Sequence, residues 1–128
     1  MTEKKRILVI DDIRSHLLYM KWILSEDNYE VCIAEDLYEA YDTIKQIKVD
    51  LILLDLILPG VDGFEFLKTM SRSHELFNIP VIVVSVKSDF PSIEKALELG
   101  AKDYIVKPYN TRDVINKATL IIEEEIKQ

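Results

Sequence analysis

Five short apolar runs, each followed by a stretch whose apolar residues recur at helical spacing, limit this 128-residue chain to few architectures. The runs are Ile7–Ile10, Val31–Ala34, Leu51–Leu54, Val81–Val84 and Tyr104–Val106. They are β-branched or leucine-rich and scarcely alternate, as strands covered on both faces do. After them come Ile13, Leu17, Met20 and Leu24; Leu37, Ala40, Ile44 and Ile47; Phe64, Leu67 and Met70; Ile93, Ala96 and Leu97; and Val114, Ala118 and Ile121. Each set lays one apolar stripe on a helix. Asp36 with Glu39 has the form of a capping box, and Gly100 stands where a helix would stop. The order βαβαβαβαβα predicts an α/β, doubly wound (βα)5 flavodoxin-like domain. Its five-stranded parallel sheet would run 2-1-3-4-5 with helices on both faces.

The length fits a single domain over 1–128, with 48% apolar and 30% charged residues suiting a globular chain. The single Cys32 excludes an internal disulfide framework and a cysteine-rich zinc site. Three glycines cannot spell a dinucleotide fingerprint or a P-loop. A net charge of −7 argues against direct nucleic-acid binding. No apolar run is long enough to span a membrane. The basic start, Met1 to Arg6, leads into only four apolar residues before Asp11, so no secretory signal is expected, and a cytoplasmic location is.

Ligands of such sheets bind beyond the carboxyl ends of the strands. There the sequence places Asp11 and Asp12 after the first run, Asp55 after the third, Ser85 after the fourth and Lys107-Pro108 after the fifth. Singly, each is an ordinary turn or cap residue. Together they put three carboxylates, a hydroxyl and an ammonium on one rim. Like charges that close require a cation, and Mg²⁺ is the hard ion that oxygen ligands suit. Asp55 could then attack phosphorus, with Lys107 and Ser85 binding the phosphoryl oxygens.

These residues resemble a bacterial two-component response-regulator receiver domain, of the chemotaxis-receiver kind. The likeness runs from Arg6 to about Ile122. It is carried by Ile7-Leu8-Val9-Ile10-Asp11-Asp12, by Asp55-Leu56-Ile57-Leu58-Pro59-Gly60-Val61-Asp62-Gly63, by Pro80–Ser85 and by Ala96–Pro108. The resemblance implies that Asp55 takes a phosphoryl group from a phosphohistidine on a sensor histidine kinase or histidine phosphotransfer protein. It implies Asp12, Asp55 and the Ile57 carbonyl as direct Mg²⁺ ligands, and Asp11 as one acting through water. Ser85 would be the switch hydroxyl, Tyr104 the switch aromatic and Lys107 the phosphate-binding lysine, with a cis Lys107–Pro108 bond. Phosphorylation would draw Ser85 inward, let the Tyr104 ring follow, and alter the face of fourth helix, fifth strand and fifth helix. That face would control an output domain or protein, or form a phosphorylation-dependent dimer. Such a chain assists its own phosphorylation and dephosphorylation rather than being a dedicated enzyme.

Two other readings share the strand-end acid. A pseudo-receiver would dock partners without phosphate, against which the complete Asp11, Asp12, Asp55 and Lys107 set speaks. A haloacid-dehalogenase-type phosphatase wants a second Asp two residues beyond the nucleophile, where Ile57 stands. Three positions depart from the family pattern. Val86 replaces the usual small residue and would crowd the phosphoryl site, while Ile57 and Lys87 stand where water-orienting groups often occur. His16, near the Asp pair, reads as solvated or kinase-facing rather than as a ligand, and His74 as an exposed loop residue. Cys32 reads as a small buried hydrophobe. Trp22, Tyr19 and Tyr41 suit either core or surface, and Glu123–Glu125 a solvated helix face.

Overall fold

The computed structural model describes residues 3–73 and 78–126; His74 and the last two residues lie outside that range. Five strands form one parallel sheet: β1 (Arg6–Ile10), β2 (Glu30–Ala34), β3 (Leu51–Leu54), β6 (Val81–Ser85) and β7 (Asp103–Val106). A two-stranded antiparallel ribbon, β4 (Ile57–Leu58) and β5 (Val61–Asp62), follows β3. The helices are α1 (Arg14–Glu26), α2 (Leu37–Gln46), α3 (Gly63–Arg72), α4 (Phe90–Glu98) and α5 (Thr111–Ile126). The sheet order β2-β1-β3-β6-β7 is the expected 2-1-3-4-5 once the ribbon is set aside. No described helix is long and apolar enough to cross a membrane.

Two apolar layers explain why the runs do not alternate in character. Leu8, Ile10, Ile52, Leu54, Val81 and Val83 pack with α2, α3 and α4. Their sequence neighbours Ile7, Val9, Leu51, Leu53, Ile82 and Val84 pack on the opposite face with α1 and α5. Successive side chains point to opposite faces of a strand, so a sheet covered on both sides needs apolar residues at every position.

The helical stripes needed correction in detail. Ile13 lies at the N-cap of α1 and is exposed; Ile23 is buried in its place. In α3 the fully buried ring is Phe66, with Phe64 only half covered. Leu97 of α4 is exposed, leaving Ala96 as that helix's buried apolar residue. Short stripes read by spacing alone leave the rotation of a helix open by about one position, and packing decides it.

Aspartates start three helices. Asp36 Oδ1 accepts from the Glu39 amide at 2.8 Å, and Glu39 reaches back to the Glu35 amide at 3.0 Å. Asp62 accepts from the Phe64 amide at 2.9 Å. Asp89 accepts from both the amide and the hydroxyl of Ser92, at 3.0 and 2.8 Å. These bonds hold the Asp89 carboxyl below its ordinary range. Asn110 does the same for α5, accepting from the Arg112 amide at 2.8 Å.

The ribbon places the turn after β3. Pro59 and Gly60 join its strands, and Gly60 has φ +70, the pairing of a rigid first and a left-handed second residue that a type II turn requires. At Gly63 the chain passes against Leu56: a Cβ there would lie 2.6 Å from the Leu56 Cα. The amide of Gly63 donates to the Leu56 carbonyl at 3.2 Å. Glycine is thus what lets α3 begin directly beneath the residue that follows Asp55.

Candidate functional site

Three strand ends share one local device. Asp11 Oδ1 accepts from the amide of Ile13, and Asp55 Oδ1 from the amide of Ile57, each at 2.9 Å. Ser85 Oγ accepts from the amide of Lys87 at 3.3 Å. Each strand-end side chain thereby folds its own loop back over the rim, as a short polar group two residues before an amide can. For the two aspartates this leaves Oδ2 free to face inward.

Lys107 meets both inward oxygens. Its Nζ lies 2.7 Å from Asp11 Oδ2 and 3.1 Å from Asp55 Oδ2. These side chains are nearly closed off from solvent, with 10% of Lys107 and 7% of each aspartate exposed. The backbone brings them together: the Asp55 amide donates to the Ile10 carbonyl at 2.9 Å, and the Lys107 amide to the Ser85 carbonyl at 2.9 Å. The Lys107–Pro108 peptide is cis.

Asp12 is exposed beside this pair. One carboxylate oxygen from each of Asp11, Asp12 and Asp55 falls within 4.8 Å of the others. Three carboxylates thus face a single ammonium, and the excess negative charge suits a hard cation bound by oxygens. The residues present therefore fit a magnesium ion. Ile57, whose carbonyl was expected to contribute, lies in β4 with its side chain outward.

The hydroxyl and the aromatic ring sit one strand apart. Ser85 is the last residue of β6 and fully buried. Tyr104 on β7 is also buried, and its phenol donates to the Lys87 carbonyl at 2.6 Å. Burial pushes that phenol up, and the charges of Asp89 and Asp55 act the same way. In this structure the Tyr104 ring lies inside, against the Lys87 carbonyl. Val86 points to solvent.

One residue read from the sequence as solvated, with a side chain 43% exposed, also reaches the site. His16 Nδ1 lies 3.0 Å from Lys107 Nζ and 3.4 Å from Asp11 Oδ2. The signal was its place in the first turn of the helix that follows Asp12. Of the remaining residues, Cys32 is half-buried against the core, with its thiol pushed up by burial. Tyr41 packs on Phe66 with ring centroids 5.4 Å apart. Tyr19 and Trp22 are exposed on α1.

Comparison with known proteins matches residues 7–119 to the family model described as the response regulator receiver domain. Among solved structures, a CheY-like response regulator receiver domain protein from Methanospirillum hungatei is 32% identical, with a TM-score of 0.88. The alignment covers 97% of this chain and 98% of that one. A two-component response regulator from Clostridium difficile is 28% identical, with a TM-score of 0.87 and coverage of 94% and 97%. A response regulator from Thermotoga maritima is 26% identical, with a TM-score of 0.85 and coverage of 94% and 98%.

Proposed function

The chain belongs to the family of response regulator receiver domains, and from that premise we propose that Asp55 is its phosphoacceptor. The donor is a phosphohistidine on a sensor histidine kinase or phosphotransfer protein in the cytoplasm. The observation that carries this reading is the placement of Asp55 Oδ2 on Lys107, 3.1 Å away, inside the three-carboxylate cluster.

A carboxylate oxygen of Asp55 attacks phosphorus; the new P–O bond forms as the P–N bond to the donor ring breaks, and that nitrogen keeps the electron pair. Lys107 stands where the transferred oxygens gain negative charge, so its ammonium stabilises the transition state more than the ground state. Ser85 holds a hydroxyl at the adjoining strand end for one of those oxygens. Asp12, Asp55 and the Ile57 carbonyl would hold a magnesium ion, with Asp11 acting through water. When bound, it supplies charge neutralisation for the phosphoryl group.

Phosphorylation adds nearly two negative charges and three acceptor oxygens. Ser85 and Lys107 reorganise around them, and the β6–α4 loop responds through the Tyr104 phenol. The readout is the α4–β7–α5 face, where Leu97 and Val106 are exposed; an output domain, output protein or second copy would sense it. The phosphoryl group acts on this face to the extent that it binds one arrangement better than the other.

Intact-mass spectrometry after treatment with acetyl phosphate or the cognate kinase tests the reading. The protein should gain one phosphoryl group with Mg²⁺ and none after chelation, and Asp55→Asn should gain none. Equal labelling of Asp55→Asn would refute it.

A further inference from the structure

We propose that His16 is a positioning residue that holds the Lys107 ammonium through a neutral nitrogen acceptor; this rests on the phosphoacceptor reading of Asp55. A lysine ammonium carries three protons and accepts no hydrogen bond. In its contact with His16 Nδ1, at 3.0 Å, the ring nitrogen is therefore the acceptor, in the tautomer that carries its proton on Nε2. The three protons of Lys107 then find three acceptors: Asp11 Oδ2 at 2.7 Å, His16 Nδ1 at 3.0 Å and Asp55 Oδ2 at 3.1 Å.

The chemistry of the third acceptor matters. A further carboxylate would worsen the excess of negative charge, and water alone would leave the long lysine side chain with two fixed contacts. An uncharged ring nitrogen fixes the third direction without adding charge. The ring stands on a defined backbone, because the His16 amide donates to the Ile13 carbonyl at 2.9 Å. Ile13 is itself held by the Asp11 carboxylate at 2.9 Å. Asp11 thus both starts the turn into α1 and binds Lys107, and His16 closes the loop between them.

During transfer the ammonium turns its Asp55-directed proton towards the incoming phosphoryl oxygens. Asp11 and His16 keep the other two. Small misplacements of a charge that acts on the transition state are expensive in rate, so loss of His16 should lower the maximal rate and leave donor binding alone.

The test compares wild type, His16→Leu and His16→Asn, the last putting Oδ1 near the place of Nδ1. Phosphoryl uptake is followed against acetyl phosphate concentration in Mg²⁺. Proton–nitrogen NMR follows the Lys107 ammonium, which is visible only while its protons are held. His16→Leu should lower the maximal rate about three- to tenfold, at unchanged half-saturation, and erase the ammonium signal. His16→Asn should restore most of both. An unchanged rate or an unchanged signal in His16→Leu overturns the proposal, as does a His16→Asn variant no better than His16→Leu. A wild type that takes up no phosphoryl group overturns the Asp55 reading instead, and the ammonium signal then decides by itself whether His16 holds Lys107.

Discussion

The Tyr104 phenol donates a 2.6 Å hydrogen bond to the carbonyl oxygen of Lys87. This ties β7 to the loop that leads from Ser85 into α4. Tyr104→Phe keeps the ring and deletes the tie, and should cost about 0.5–1.5 kcal/mol in urea unfolding. Amide exchange at Val86, Lys87 and Ser88 should quicken. An unchanged unfolding midpoint together with unchanged exchange would show that the bond holds nothing in place.

Gly63 is needed for space rather than for backbone conformation. A Cβ would sit 2.6 Å from the Leu56 Cα and 2.7 Å from its carbonyl oxygen, both backbone atoms that cannot turn aside. Gly63→Ala should therefore destabilise by about 1–3 kcal/mol, as overpacking does. Its largest NMR shifts should fall on Asp55, Leu56 and Ile57, and a variant as stable as wild type would contradict the close approach.

Asp12 adds a third negative charge beside Asp11 and Asp55, the pair that the Lys107 ammonium bridges. Without magnesium, Asp12→Asn should raise stability by about 1 kcal/mol, the scale of exposed charges a few ångströms apart. The same variant should lose most of the stabilisation that added magnesium confers on wild type through linkage. Thermal melts of both proteins, with and without the ion, check the two halves; a fall in the melting temperature of the ion-free variant counts against the repulsion.

Burial pushes the Tyr109 phenol up from 10.0 to about 12, and neighbouring Tyr19 and Asp11 push in the same direction. Its folded pKa thus exceeds its unfolded one. The contribution to stability is complete below pH 10 and is lost as the pH rises from there through about 12. Tyr109→Phe should flatten the decline of stability across that window. Identical declines in the two proteins would show that the phenol ionises as freely in the fold as outside it.

Much of the site was legible because its residues stand at strand ends. Asp11, Asp55, Ser85 and Lys107 each follow an apolar run, and a parallel sheet carries all such ends to one rim. The ribbon at Ile57–Asp62 was not legible: two-residue strands have no period, and only the Pro59-Gly60 pair marks the turn. Ile13 and Leu97 were misassigned to the core because spacing defines a stripe without saying where the sheet lies. His16 reads from the sequence as solvated or kinase-facing because a lone histidine has no partner in sequence; its partner stands on another element, brought close by the sheet.

The order of strands and helices, the two-sided burial and the gathering of three acids with one lysine follow from local pattern and the handedness of parallel crossovers. Those are properties of periodicity, which a linear chain carries in full. Which oxygen of each aspartate turns inward, where the third proton of Lys107 goes, and that the Tyr104 ring lies inside against the Lys87 carbonyl were decided by tertiary structure. Hydrogen bonds of about 3 Å depend on how whole elements are set against one another, and no local pattern specifies that to within a bond length.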